Sequence, residues 1–529
     1  VFGIPGEENI HFVDALNGSS IRFILVRHEQ GAAFMADMYG RLTGRAGVCI
    51  ATLGPGAINL LLGVADAHTD SAPLVAISAQ VALPRIYKES HQGVDLVTMF
   101  RPVTKWADIV LRPEAIPEMV RKAFKVAQTE RPGAVYLAVP EDVEQLSAPR
   151  DAAPLAINVV YDMAPSPSQV KRAAKVLKAA KSPIVLAGHG AARNDATDAL
   201  VRFSERLGVP VATTFMGKGV FPDDHANALG ALGFMRHDYA NFGFDRADVI
   251  VCVGYDLQEY APERINPDAG KKIIHIHRYP AEVDAHYHVA VGIEGNIPQS
   301  LDALASASEK SSGVAAASAK IRALLREEID RGANDDSFPV KPHRLVADIR
   351  RAMGRSDIVL VDTGALKMWM ARLYPTYAAN TCLISNGLAT MGFALPGAIG
   401  AKLAHPDRKV LAVTGDGGFL MNSQELETAV REKIPFVVLV WEDGAYGLIK
   451  WKMDLELGRH SNCDFTNPDF VAYAESLGLK GFRVGAAAEL LPTLRRALAD
   501  DSVSLVVCPV DYSENLALTK MLGEITDPF

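Results

Sequence analysis

Three doubly wound α/β domains, each on a parallel sheet, are what this 529-residue sequence predicts. Two observations carry that reading: strands and helices alternate along nearly the whole chain, and two composition shifts interrupt the alternation. The runs Ile24-Leu25-Val26, Val48-Cys49-Ile50-Ala51 and Leu74-Val75-Ala76-Ile77 are β-branched or apolar and short, as buried strands are. Helical patterns from Gly31 to Thr43 and from Ile58 to His68 separate them. Alternation of this kind puts helices on both faces of a parallel sheet. The first shift, from Pro140 to about Pro167, is rich in Pro, Ala, Ser and Asp. The second runs from Ala303 to about Pro342, is rich in Ser, Ala and Lys at its start, and holds a helical pattern from Ile321 to Ile329. Read as connections, they divide the chain into blocks 1–150, 165–305 and 340–529. The first and third blocks share an outline of strand, Gly-rich turn and helix.

Composition narrows the function classes. Acidic residues (62) outnumber basic ones (54), giving a net charge of −8, so the chain lacks the basic footprint that nucleic acid requires. No run of about 20 apolar residues offers a membrane span. Five scattered cysteines (49, 252, 382, 463, 508) show neither paired nor metal-ligand spacing. Sparse, odd thiols fit a reducing, cytoplasmic setting. The chain opens at Val1 inside an apolar run, Val1-Phe2-Gly3-Ile4-Pro5-Gly6. Domains seldom start mid-strand, so a preceding segment, such as a helix, is expected.

The strongest chemical signal lies in the third block. The strand Lys409 to Thr414 runs into Gly415-Asp416-Gly417-Gly418, and a helical pattern from Ser423 to Lys433 follows. A second strand, Phe436 to Trp441, ends in Glu442-Asp443-Gly444-Ala445-Tyr446-Gly447. On neighbouring parallel strands both turns fall at the carboxyl edge of one sheet, where open α/β folds bind ligands. Asp416 and Asp443 offer the hard oxygens that Mg²⁺ needs while it bridges to a phosphate. The glycines let backbone N–H groups approach that phosphate. A lone Gly-Asp-Gly reads first as a solvated loop; the pairing of two such turns raises it to a site.

This pair of turns resembles the cofactor motif of the thiamine diphosphate enzymes, although Glu442-Asp443 stands where that family has Asn-Asn. The resemblance implies Mg²⁺ held by Asp416, Asp443 and the carbonyl of Ala445. It extends to Val26-Arg27-His28-Glu29-Gln30-Gly31, where Glu29 takes the part of the acid that activates the aminopyrimidine ring. Thr52-Leu53-Gly54-Pro55-Gly56 matches the turn beside the cofactor, with Gly54 and Pro55 contributing. In Ser385-Asn386-Gly387-Leu388-Ala389-Thr390-Met391, Met391 aligns with the residue that keeps the cofactor bent, and Thr390 precedes it. A methionine there is equally at home as core filler. Gly364, Ala365 and Lys367 align with the turn that receives the diphosphate. Gly417, Gly418, Asn422, Ser423, Tyr446 and Leu448 complete the implied cofactor contacts.

Within the family the chain looks most like the acetolactate synthases, and among them the catabolic type. Ser90-His91-Gln92-Gly93-Val94-Asp95 carries that likeness, with Gln92 the candidate for handling a substrate oxygen. The resemblance implies a carboligase that decarboxylates pyruvate on thiamine diphosphate and joins the hydroxyethyl unit to a second pyruvate. The products would be 2-acetolactate and CO₂. Alternatives are another thiamine-dependent decarboxylase, oxidase or acyl-transferring lyase acting on a 2-keto acid, or a catalytically silent homologue. Because Glu29 and Asp416 lie in different blocks, the family pattern implies sites between subunits of a homodimer or homotetramer. A regulatory small subunit is a further partner to consider, and the pathway stays open between branched-chain amino acid biosynthesis and acetoin formation.

Lys105 and Trp451 are candidates for the substrate pocket. The Trp451 ring either lines an acceptor site or packs on a helix, and Lys450 and Lys452 either meet an anion or face solvent. FAD is not expected: Gly188-His189-Gly190 forms a loose dinucleotide-like turn, but no acidic residue follows at the spacing a ribose contact needs. Gly254-Tyr255-Asp256-Leu257-Gln258-Glu259 resembles flavin-free relatives instead.

Overall fold

The structure, a computed structural model, describes residues 1–148, 153–157, 162–233, 238–310 and 315–524. Three six-stranded sheets follow one another along the chain, and every pair of neighbouring strands is parallel. The first contains β1 (Phe2–Gly3), β2 (Ile24–Leu25), β3 (Gly47–Ala51), β4 (Leu74–Gln80), β5 (Trp106–Ile109) and β6 (Ala134–Pro140), in the order β2-β1-β3-β4-β6-β5. The second contains β7 (Pro183–Ala187), β8 (Val211–Thr213), β9 (Ala228–Ala231), β10 (Val249–Val253), β11 (Lys272–His277) and β12 (Val289–Glu294). Its order, β12-β11-β10-β7-β8-β9, is that of a dinucleotide-binding sheet. The third contains β13 (Ile358–Val361), β14 (Cys382–Ile384), β15 (Val410–Gly415), β16 (Val437–Glu442), β17 (Lys480–Arg483) and β18 (Ser504–Pro509), ordered β14-β13-β15-β16-β18-β17. The first and third sheets therefore share one topology, as their common outline in the sequence suggested.

Each expected strand named above is present, and the helices Glu29–Thr43 and Pro55–Thr69 extend the patterns from Gly31 and Ile58. The pattern at Ile321 to Ile329 lies within a longer helix, Ala315–Arg331. Parts of the two expected connections fall outside the described residues. One expectation changes form. The Gly-Asp-Gly turn is itself a helix start, Asp416–Asn422, capped by Gly415, and a second short helix, Glu425–Arg431, follows. Asp416 stands in the first turn, where a carboxylate favours a helix start, and the glycines at 417 and 418 leave room for Tyr446, Thr414 and Asp362.

Two helices of small residues join the first and third sheets. Glu29–Thr43 packs on Ala394–Ala404, and one apolar core spans both domains. The approach is close enough that a Cβ on Gly400 would lie 2.2 Å from the carbonyl oxygen of Met35. A buried polar latch accompanies it. Arg41 donates to Asp70 (3.0 Å) and to the carbonyl of Ile384 (3.0 Å), and the amides of Asn386 and Gly387 donate to Asp70. Asp66 accepts from the hydroxyls of Ser385 (2.6 Å) and Thr390 (2.8 Å). Acids of the first domain thus hold the loop that carries Met391.

Candidate active site

At the carboxyl edge of the third sheet, where the strand order reverses between β13 and β15, a cleft of about 100 Å³ opens. It is lined by the turns after β13 (Thr363 to Leu366), after β15 (Gly415 to Gly418) and after β16 (Asp443 to Ile449), with Met391 and Tyr512. Ten of the sequence candidates meet here: Gly364, Ala365, Met391, Asp416, Gly417, Gly418, Asp443, Ala445, Tyr446 and Leu448.

Asp416 organises the cleft. Its Oδ2 accepts from the amides of Asp443 (3.1 Å) and Gly444 (2.7 Å) and from Asn467 Nδ2 (2.8 Å), while Oδ1 accepts from the amide of Gly417. Burial and the neighbouring Asp416 push the Asp443 carboxyl up to about 7. The buried Oδ1 of Asn467 has no partner. Two carboxylates and the Ala445 carbonyl are oxygen donors of the kind Mg²⁺ takes. Among the described residues no group of three or more His, Cys, Asp or Glu gathers, so a metal here would rest on two carboxylates and backbone. Asn467 was missed in the sequence because nothing in its local context marks it.

Met391 is held from below. Asp362, fully buried, accepts from the amides of Thr363 (2.7 Å) and Gly392 (2.9 Å) and from the Thr414 hydroxyl (3.0 Å). Gly392 has φ +79°, and a Cβ there would press on Met421 and Asn422. Asn422 is buried and donates to the carbonyl of Gly392, and Ser423 shares a hydrogen bond with Tyr473. Asn422, Ser423 and Thr390 therefore brace the cleft from behind rather than line it.

Two lysine candidates sit apart from the cleft of this chain. Lys367 does not line the cleft. It is buried, donates to the carbonyl of Ser385 (2.9 Å) and faces Asp70, Asp66 and Asp362. Burial pulls its ammonium down to about 8. Lys105 lies in neither the cleft nor the neighbouring cavity. It donates to the carbonyls of Val126 (2.6 Å) and Thr129 (2.7 Å), satisfying the free carbonyls at the end of the helix Ile116–Gln128. Glu442, the departure from Asn, pairs with Arg483 outside the cleft.

Trp451 packs on a helix and also lines a cavity. Its Nε1 donates to Thr519 on the C-terminal helix, and its ring lines a cavity of about 670 Å³ with Phe215, Gln258, Met368 and Asn386. Leu448 and Ile449 line both this cavity and the cleft. Lys450 and Lys452 are paired with Asp464 and Glu456.

The remaining candidates sit on the first sheet's carboxyl edge. Glu29 opens its helix after β2, is 9% exposed, and accepts from Asn59 Nδ2 (3.0 Å). Gly54 has φ +52°, and a Cβ there would come within 2.8 Å of the Gln92 carbonyl oxygen. Glu29, Gly54, Pro55 and Gln92 thus share one edge, and none of them lines the Asp416 cleft of the same chain.

Comparison with known sequences fixes the family. Residues 1–99 match the thiamine pyrophosphate enzyme N-terminal TPP binding domain, 170–304 the central domain, and 362–508 the C-terminal TPP binding domain. The chain belongs to the thiamine pyrophosphate enzymes. It is 36% identical to a probable acetolactate synthase large subunit of Methanocaldococcus jannaschii, over 100% of this chain and 92% of that protein. It is 37% identical to a catabolic acetolactate synthase of Raoultella terrigena, over 99% and 94%, and 35% identical to an acetolactate synthase of Bacillus subtilis, over 99% and 94%. In this thiamine pyrophosphate enzyme the matched cofactor domains are the two that share a topology, and the third sheet's cleft falls inside the C-terminal one.

Proposed function

We propose that this chain is an acetolactate synthase, decarboxylating pyruvate and joining the hydroxyethyl unit to a second pyruvate to give 2-acetolactate and CO₂. The observation that carries the reading is the cleft at the third sheet's switch point, with two facing carboxylates amid glycine backbone, in a chain whose full-length relatives are named acetolactate synthases.

Thiamine diphosphate, when bound, supplies the electron sink for loss of CO₂. Asp416, Asp443 and the Ala445 carbonyl would hold Mg²⁺, and the backbone at Gly364, Ala365, Gly417 and Gly418 would meet the diphosphate. Glu29 would share a proton with the aminopyrimidine ring, oriented for that by Asn59. Gln92 would face the substrate oxygen. Met391 would support the ring system on the loop that Asp66 and Asp362 fix. The Trp451 cavity, continuous through Leu448 and Ile449, would admit the acceptor keto acid and exclude water.

The Glu29 edge and the Asp416 cleft belong to different faces of one chain, and both carry exposed apolar side chains. Ile58 and Leu62 are exposed beside Asn59, and Leu420 and Met421 beyond Gly418. We therefore place the complete site between two subunits of a homodimer or dimer of dimers, with domains at 1–150, 165–305 and 340–529. A regulatory small subunit is a partner to test by co-purification, since relatives carry the name large subunit. No helix among the described residues is long and apolar enough to cross a membrane, and a cytoplasmic location is part of this proposal.

A flavin is not part of it. At the second sheet's switch point the amide of His189 donates to both oxygens of Glu259, which also takes the Asp256 amide and the Thr214 hydroxyl. The place of a dinucleotide phosphate is taken by a side-chain carboxylate.

The test is product analysis after incubation with pyruvate, Mg²⁺ and thiamine diphosphate. Acetolactate with CO₂ is expected. Acetaldehyde or acetyl phosphate in its place overturns the assignment.

A further inference from the structure

A third cavity, about 350 Å³, shares no lining residue with the cofactor cleft and lies where the helix Ala315–Arg331 packs against β9 and the end of the helix Ala365–Leu373. Its walls bring together Lys218, Arg322 and Arg326, with Tyr374 and Tyr377. Lys218 is only 3% exposed, on a turn pinned by Gly219, where φ is +83° and a Cβ would strike the Ala378 carbonyl. Lysine is almost never buried to this degree without a partner. Yet among the described residues Lys218 has no hydrogen-bond acceptor and no carboxylate within ion-pair distance. The buried Nε of Arg322 is also unpartnered, as is the buried hydroxyl of Tyr374. Arg326, at the rim, has no ion pair among the described residues.

The other charges in the walls are committed. Arg372 is tied to Asp238 and Glu328, and Asp224 to Arg355. Asp223 accepts from the amide of Thr376 (2.7 Å), and burial pushes its carboxyl up. Among the described residues Asp330 has no partner and Asp223, which attracts Lys218, meets only a backbone amide, so two lining carboxylates stand against Lys218, Arg322 and Arg326. Buried donors left open in this way call for an acceptor.

We propose that this cavity binds a small phosphate-bearing anion, met by Lys218, Arg322 and Arg326 and by the Tyr374 hydroxyl. Three convergent cations exceed what the two carboxylates Asp223 and Asp330 neutralise, and guanidinium groups match phosphate oxygens in geometry. The volume sits at the lower end of small-molecule pockets, about 300–1,000 Å³, which suits orthophosphate or a diphosphate group rather than a whole nucleotide. The helix Ala365–Leu373 begins at the cofactor cleft and ends in this cavity, so an occupant would bear on both. That last consequence rests on the proposed function; the binding itself does not.

Calorimetric titration of the metal-free protein with inorganic pyrophosphate, and in parallel with orthophosphate, tests it. One site per chain is expected. Binding of both assigns the site to free phosphate chemistry in general, and binding of pyrophosphate alone assigns it to diphosphates. Lys218→Met should weaken binding tenfold or more, and Arg326→Gln, a rim change that leaves the core untouched, should weaken it severalfold. Asp416→Ala should leave it unchanged, which separates this cavity from the cofactor cleft. No binding of either anion, binding that survives both basic-residue changes, or binding lost with Asp416→Ala would overturn the proposal. Failure to form acetolactate would leave these titrations intact.

Discussion

The first and third sheets follow the same strand order, but the turns at the switch point approach closely in one and leave a cleft in the other. In the first, Gly6 lies so close to Thr52 that a Cβ would meet it at 2.3 Å, and the Thr52 hydroxyl donates to Glu8. In the third, the equivalent turns at Thr363 to Leu366 and Gly415 to Gly418 leave the cleft. One topology thus serves two ends: the first edge offers the Glu29 carboxylate, and the third a cradle of backbone with two carboxylates. Function follows from the residues after each strand, not from the strand order.

The comparison can be broken from either side. Glu29→Gln should remove most turnover, about 10²-fold or more in kcat, while leaving cofactor binding and the folded state intact. Steady-state kinetics beside a cofactor titration checks this, and unchanged kcat would return Glu29 to a structural role. Asp416→Ala should abolish Mg²⁺-dependent binding of thiamine diphosphate, because Asp416 also holds the turn at Asp443 and Gly444. Retained binding would move the metal elsewhere.

Smaller effects probe the latch between the domains. Asp66→Ala strips the shared acceptor from the Ser385 and Thr390 hydroxyls and should cost about 1–3 kcal/mol in denaturant unfolding. It should also raise the apparent Kd for cofactor, since that loop carries Met391. Gly54→Ala should cost about 1–2 kcal/mol from its left-handed backbone and displace Gln92, seen as a rise in KM.

The last prediction concerns pH. Burial raises the Asp37 carboxyl from 3.8 to about 6, against the pull of Arg41. Between those values the folded chain holds more protons than the unfolded one, so stability falls as pH rises from about 4 to 6. Asp37→Asn should flatten that fall, and unfolding curves at several pH values would show it. An undiminished fall would assign it to other groups.

Much of this was legible in the sequence. Strand–helix alternation announced parallel sheets, and Gly-Asp-Gly with its partner turn announced the cleft, because both are patterns of neighbouring residues. Asn467 and Asp66 were not legible, since each gains its part only from residues 51 and about 320 positions away. The surroundings of Lys367 were not legible for the same reason: the resemblance gave its position on the helix, but burial gave it the Ser385 carbonyl and three acids to face.

The sequence by itself determined the three-part α/β build, the family resemblance and the residues that edge each sheet. Backbone propensity, hydrophobic period and glycine placement are local properties and survive reading in one dimension. Only the tertiary structure decided which switch point stays open and which lysines are spent on carbonyls. It alone shows Glu259 tied to the His189 amide after β7 and three cations sharing one cavity. Those outcomes depend on which distant groups satisfy a buried charge, and partners chosen across hundreds of residues leave no local pattern to read.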